Sequence, residues 1–480
     1  MGALSHAHSR PLPVRRWDTP GRRRHGLARI PCGARSLARL ATATSLMSER
    51  SDTPLLRAIG RWSLAALVLN SIIGSGIFGL PSIVAGLVGT WSPFAYLLTA
   101  MGMGLIMACF AEVASRFTAA GGPYLYAREA FGPFIGMQIG WLTWLVRITA
   151  AAANANLFVI YLAEFWPPAD DPFPRALLLT LLIGGLAAVN YRGVRTGAQV
   201  SNVFAVLKLV PLLLFIGLGL LFMRPIEARP VTLSVEAWLH AVLVLVYAYG
   251  GFEAALLPMA EARNPQRDAP FALFVALVMV TTIFTLIQVV VMSALPDAAR
   301  TERPLAAAAR AFSGAWGAGM ISAGALISVY GYLSSMMLNA PRLTFALAER
   351  GDFPDVFAAV HPRFRTPHIS IVVFALLTWG LALAGTFAWN VMLSAVARLF
   401  TYASTCLALI VLRRKGREEP AFRLPHGPLL AILALAFSTV LVTRMGRGEV
   451  IVLILTSLLA LANWFWRTQR ERRQARVLSP

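Results

Sequence analysis

The chain has 480 residues, of which 57% are hydrophobic and only 14% charged, with a mean hydropathy of +0.66. Soluble domains carry about 25% charged residues, so this composition, with apolar runs recurring from Trp62 to Trp466, excludes a soluble globular protein and defines a polytopic helical membrane protein. The net charge of +21 does not indicate nucleic acid, because twelve of the 43 Lys+Arg lie in the first 61 positions and most others in short connections between apolar runs, where charge sets orientation.

Residues 1–55 are rich in Arg, Pro, Gly and Ser and lack apolar periodicity, which predicts a disordered basic cytoplasmic N-terminus. Met47 is an alternative start that would leave residues 1–46 untranslated, and no apolar h-region of a secretory signal is present. Twelve spans are expected beyond it, near 62–87, 94–115, 134–162, 175–190, 200–223, 235–258, 270–294, 316–346, 368–385, 389–412, 428–443 and 449–466. Connections and tail on the N-terminal side carry 19 Lys+Arg and the opposite connections carry eight, so both termini are expected in the cytoplasm. The basic tail is 467–480. Cys32, Cys109 and Cys406 are too scattered for a disulfide or metal framework.

The first span contains IIGSGIFGLP, residues 72–81, which reads literally as G-x-G-x-x-G. A dinucleotide loop would follow a strand and precede an acid by about 20 residues. Here the string lies inside an apolar span, and the first acid after it is Glu112. Gly74, Gly76, Gly79 and Pro81 are read instead as weakening a transmembrane helix at mid-depth. A second interruption, Tyr247 to Glu253 with Gly250 and Gly251 at its centre and Pro258 beyond, falls in the sixth span. Spans five apart cross in opposite senses, so paired interruptions point to an inverted-repeat transporter with its site between the breaks. Broken helices expose amides at one half-helix start and carbonyls at another half-helix end, a match for the carboxylate and ammonium of an α-amino acid.

Four stretches then carry a resemblance: IIGSGIFGLP (72–81), FAEVASRFTAAGGPYLYAREAFG (110–132), YGGFEAALLPMAEARNPQRDAP (249–270) and LAERGDFPDVFAAVHPRFRTP (347–367). In combination they resemble the amino acid–polyamine–organocation (APC) superfamily of permeases. The resemblance implies a LeuT-type fold, with repeats 56–223 (spans 1–5) and 224–415 (spans 6–10) and peripheral spans 11–12 in 416–466. It also implies a substrate carboxylate on the amides of Ser75, Gly76 and Ile77, and an amino group on carbonyls near Ile72, Tyr247 and Gly250, with Gly251 completing the second break. Tyr247 takes the place of an aromatic gate, and Met336 falls where relatives line the side-chain pocket.

Ionisable groups within spans are costly and mark function by default. They are Arg147, Lys208, His240, Glu253, Arg342 and Arg398, with Glu112 near an end. Arg147 and Arg398 suit fixed pairing. Lys208 is one of only two lysines, the other being Lys415, in a chain that otherwise writes its cations as arginine. Similar permeases have a lysine there, where sodium sits in sodium-coupled relatives. It is either a proton-coupling group or a permanent brace between spans 1 and 8, and both readings disfavour sodium dependence. Glu253, as the only acid deep in a span, is expected to act as a gate or proton-linked group, or as a neutralised structural acid.

No H-E-x-x-H, metal spacing or nucleophile elbow is present, so no enzyme, cofactor or metal is expected. A channel would need a filter loop or charged ring. The expected function is amino acid transport by alternating access, with a neutral cargo, by proton symport or exchange. A cationic amino acid or polyamine exchanger on the same fold, and a non-transporting sensor, are the alternatives. The partners are the substrate and the bilayer, with protons as a possible coupled ion.

Overall fold

A computed structural model describes residues 60–117, 121–193, 198–226, 234–255, 264–416, 420 and 422–478. The N-terminal segment, its assignment as disordered and Pro258 therefore lie outside the described residues. The helices, in order, are α1 (Arg61–Ile72), α2 (Gly76–Val88), α3 (Ser92–Ser115), α4 (Gly122–Phe131), α5 (Pro133–Leu162), α6 (Pro172–Arg192) and α7 (Ala198–Leu221). After these come α8 (Val235–Tyr249), α9 (Phe252–Ala255), α10 (Pro265–Ala294), α11 (Pro304–Glu349), α12 (His368–Ala384), α13 (Phe387–Lys415), α14 (Gly427–Val442) and α15 (Arg447–Leu478). No strand occurs among the described residues. Eight stretches are long and apolar enough to cross a bilayer, and three shorter apolar helices accompany them.

Local chemistry sets the ends. The Ser234 hydroxyl accepts the Ala237 amide at 3.1 Å and Thr386 accepts that of Trp389 at 3.2 Å, supplying N-caps to α8 and α13. Gly416 adopts φ +61° just past α13, where basic Arg413, Arg414 and Lys415 face the helix dipole's negative end. The most extensive helix–helix packing joins α13 to α5. It is made possible by small residues: Ala150–Ala153 and Ala155 on α5, and Ser394, Ala395 and Ala397 on α13, all buried.

Three elements differ from the expected spans. The eighth begins at Pro304 rather than near 316, because a helical segment precedes Gly314, whose φ of +65° kinks α11 where the apolar run starts. A ten-residue helix, α4, lies in the connection after the second span. Finally, α15 runs on to Leu478, so the basic tail continues the last helix through the described residues.

Candidate functional site

The first interruption is real but shorter than its glycine count suggests. Helical geometry ends at Ile72 and resumes at Gly76, leaving Ile73, Gly74 and Ser75 between α1 and α2. Gly79 and Pro81 lie within α2 and do not break it. Gly79 serves packing, since a Cβ there would run into the Phe387 ring and Leu157.

The two ends of this break are treated differently. At the carbonyl end, Lys208 of α7 donates to the carbonyls of Asn70 at 2.6 Å and Ile73 at 2.7 Å, and the lysine is only 6% exposed. Both partners belong to α1 and its exit, so the expected bridge from this ammonium to the eighth span is not among its hydrogen bonds. At the amide end, the Ser75 carbonyl accepts from the Phe78 and Gly79 amides at 3.1 Å each. The preceding amides, Gly76 and Ile77, open α2 with no side-chain acceptor among the described residues.

The second break is Gly250–Gly251, between α8 and α9. Gly251 has φ +109°, a conformation L side chains rarely adopt, and a Cβ there would strike the Ser71 carbonyl oxygen. The break stitches itself closed. The Glu253 carboxylate accepts the Gly251 amide at 2.9 Å, and the Ser71 hydroxyl donates to the Gly251 carbonyl at 2.7 Å, tying the second break to the first. The carbonyl end of α8 has one backbone bond, from the Gly250 amide to the Tyr247 carbonyl at 3.2 Å.

The open ends meet. The Ser75 hydroxyl and Tyr247 hydroxyl are 2.7 Å apart, and the Asn154 amide of α5 donates to the same Tyr247 oxygen at 3.1 Å. Gly76 lies against Ala248 so closely that a Cβ would come 3.0 Å from the Ala248 Cα. The structure thus brings together Ser75, Gly76, Tyr247, Gly250, Gly251 and Glu253. Ile72 and Ile77 are buried beside them. Met336 is half-buried on α11, and it is Tyr332, one turn earlier, whose ring lies 3.6 Å from the Cβ position of Gly74. Two clefts, of about 570 Å³ around Trp62 and Arg267 and about 450 Å³ around Tyr191 and Phe364, lie away from the breaks.

Glu253 is not a lone acid. Arg398 of α13 donates to it at 2.5 Å and the Tyr402 hydroxyl at 3.1 Å. The carboxyl expected to stand alone in its span is instead bonded to a guanidinium and a tyrosine hydroxyl from α13. Arg398 is 4% exposed, and its guanidinium lies 6.0 Å from the centre of the Tyr247 ring. Glu112 is likewise paired, accepting from Arg413 at 2.5 and 2.8 Å and from the Leu424 amide at 2.9 Å, which makes it a clamp between α3 and the end of α13.

Sequence reasoning missed Asn154, Tyr332 and Tyr402. Asn154 carried a signal, a polar residue in the alanine-rich run AAAANANLF, whereas the two tyrosines are indistinguishable from packing aromatics until the helices are assembled. Among the described residues no group of His, Cys, Asp or Glu could hold a metal ion, and Cys109 and Cys406 are buried free thiols.

An all-helical, apolar chain with two broken helices facing each other is a multi-pass membrane protein. The amino acid permease family model matches residues 59–467, and the chain belongs to that family. It is 28% identical over 420 residues to the methylthioribose transporter of Bacillus subtilis, covering 83% of this chain and 90% of that one. It is 25% identical over 454 residues to that organism's branched-chain amino acid permease, covering 90% and 96%. To the arginine/agmatine antiporter of Chlamydia pneumoniae it is 27% identical over 424 residues, covering 82% and 87%. These relatives are transporters, not enzymes.

Proposed function

We propose that the chain is a secondary transporter that carries a neutral α-amino acid across the cytoplasmic membrane by alternating access, independently of sodium, by proton symport or exchange. In this reading the core is LeuT-type, with inverted repeats 56–223 and 224–415 inside twelve spans, and both termini are cytoplasmic. One observation carries the proposal. Among the described residues, Lys208 serves the carbonyl end of α1, and Glu253 and Ser71 serve Gly251, which leads into α9. No side chain among the described residues serves the amide end of α2, at Gly76 and Ile77, or the carbonyl end of α8 beside it. An α-carboxylate suits the first and an α-ammonium the second. Because Gly76 and Ala248 are in contact, the substrate enters by parting α2 from α8, and Tyr247, Ser75 and Asn154 exchange their mutual hydrogen bonds for bonds to it.

Lys208 holds its ammonium where a sodium ion would need those same carbonyls, which supports sodium independence. The test is uptake of the twenty amino acids by reconstituted vesicles under imposed pH or sodium gradients. Saturable uptake of neutral amino acids that ignores sodium is expected, and sodium-driven uptake overturns the assignment of Lys208. Similarity to an arginine/agmatine antiporter favours a cationic cargo as the second reading. Against it stand three cations, Arg147, Lys208 and Arg398, and one acid, Glu253, around the breaks. Uptake confined to arginine or agmatine would select that reading.

A further inference from the structure

Arg147 is the one intramembrane cation near the breaks that the transport cycle above does not use. It lies on α5 seven residues before Asn154, two turns away on the same face. Asn154 reaches the Tyr247 hydroxyl, so this face looks toward the breaks. At the level of Arg147, Ser394 of α13 donates to the adjacent Val146 carbonyl at 3.4 Å, and Arg398 follows Ser394 by one turn. The charged and titratable groups that act on Arg147 are Glu253, Tyr332 and Arg398, from α9, α11 and α13.

None of them pairs with it. The Glu253 carboxylate is occupied by Arg398, Tyr402 and the Gly251 amide. Among the described residues no hydrogen bond reaches the Arg147 guanidinium, and its Nε is buried without an acceptor. Arg398 therefore holds that carboxylate alone, and among the described residues no anion pairs with the positive charge of Arg147 inside the bilayer. Such a charge is expensive unless an anion meets it. A planar guanidinium suits a carboxylate in bidentate geometry. A spare structural cation would more simply be replaced by an apolar residue, as its neighbours Ile148 and Val146 are.

We propose that Arg147 is a second substrate-binding residue, receiving a carboxylate of the transported molecule at a station two helical turns from Asn154, beside Tyr332 and the Glu253–Arg398 pair. This rests on the transporter reading above. The carboxylate has two sources: the α-carboxylate of any amino acid after it leaves the amides of α2, or a side-chain carboxylate of a substrate still held at the breaks.

The experiment measures KM and Vmax in proteoliposomes for wild type, Arg147→Gln and Arg147→Lys, with melting temperature in detergent as the folding control. Loss of one charge-assisted contact predicts a rise in KM of roughly tenfold or more in Arg147→Gln, with partial recovery in Arg147→Lys and little change in melting temperature. A rise shared by all monocarboxylic substrates identifies the α-carboxylate. A rise confined to dicarboxylic ones identifies the side chain. Unchanged KM in Arg147→Gln overturns the proposal. So does a Gln variant that fails to fold alongside a Lys variant with wild-type KM, because that pattern assigns Arg147 to structure. A wild type that moves none of the twenty amino acids overturns the transporter reading itself, whereas transport with an indifferent Arg147 overturns this proposal alone.

Discussion

The two helix breaks solve one problem in opposite ways. The first recruits its counter-charge from another helix: Lys208 arrives from α7 to bond the carbonyls at the end of α1. The second carries its own, since Glu253, two residues past Gly251, folds back onto the Gly251 amide and is held there by Arg398. The first break is thus tied to α7, and the second to α13 through Glu253 and to α1 through Ser71. A cation at one carbonyl end and an anion at one amide end leave the complementary pair of ends facing each other. That asymmetry, more than the breaks as such, is what the proposed zwitterion site rests on.

Substitutions can break this comparison at different strengths. Glu253→Gln should cost most, about 3–5 kcal/mol, because it leaves Arg398 buried without its carboxylate. Thermal unfolding in detergent reads it, and a near-wild-type melting point would mean that the ion pair does not hold the second break.

Lys208→Met should come next. Two carbonyls lose their donor, a loss offset in part by removal of a buried charge, and the first break should loosen while the second does not. Lys208→Arg separates the roles: an arginine keeps the charge but cannot release a proton near neutral pH. Uptake driven by a pH gradient should fail in Arg if the lysine titrates during transport and survive in part if it is a brace.

Smaller again is the effect on folding of Gly76→Ala or Gly250→Ala, with transport the more sensitive measure. The first Cβ presses on Ala248 and wedges α2 from α8, and the second presses on the Arg398 side chain. Bulkier Leu at either position should abolish saturable uptake while the protein still inserts. Tyr247→Phe should be mildest. It removes a hydroxyl bonded to Ser75 and Asn154, worth about 1 kcal/mol, and should appear as a change in KM of about fivefold with unchanged melting.

Both breaks were legible in the sequence because glycine is the cheapest residue to unwind, and runs of it within apolar spans are conspicuous. Lys208 was legible through composition, as one of two lysines. The extent of the first break was not: Gly79 looked like part of it, yet it serves close contact with Phe387, a partner more than 300 residues away. The Glu253–Arg398 pair was hidden for the same reason, since the two residues stand 145 positions apart and only assembly brings them together. Helix α4 and the early start of α11 were missed because neither adds an apolar run; Gly314 divides a single helix where hydropathy alone starts a new one.

Asp352 gives the chain a fixed order of completion. Its carboxylate, 1% exposed, accepts from Tyr124 and Arg128 in α4 and from Arg467 in α15, while Asn463 donates to its backbone carbonyl. During synthesis α4 is made more than 200 residues before Asp352, and Arg467 follows it by 115. The joint cannot close until the last span has left the ribosome. A chain stopped between Asp352 and α15 lacks the Arg467 and Asn463 contacts, so the joint is complete only once the final helix is made.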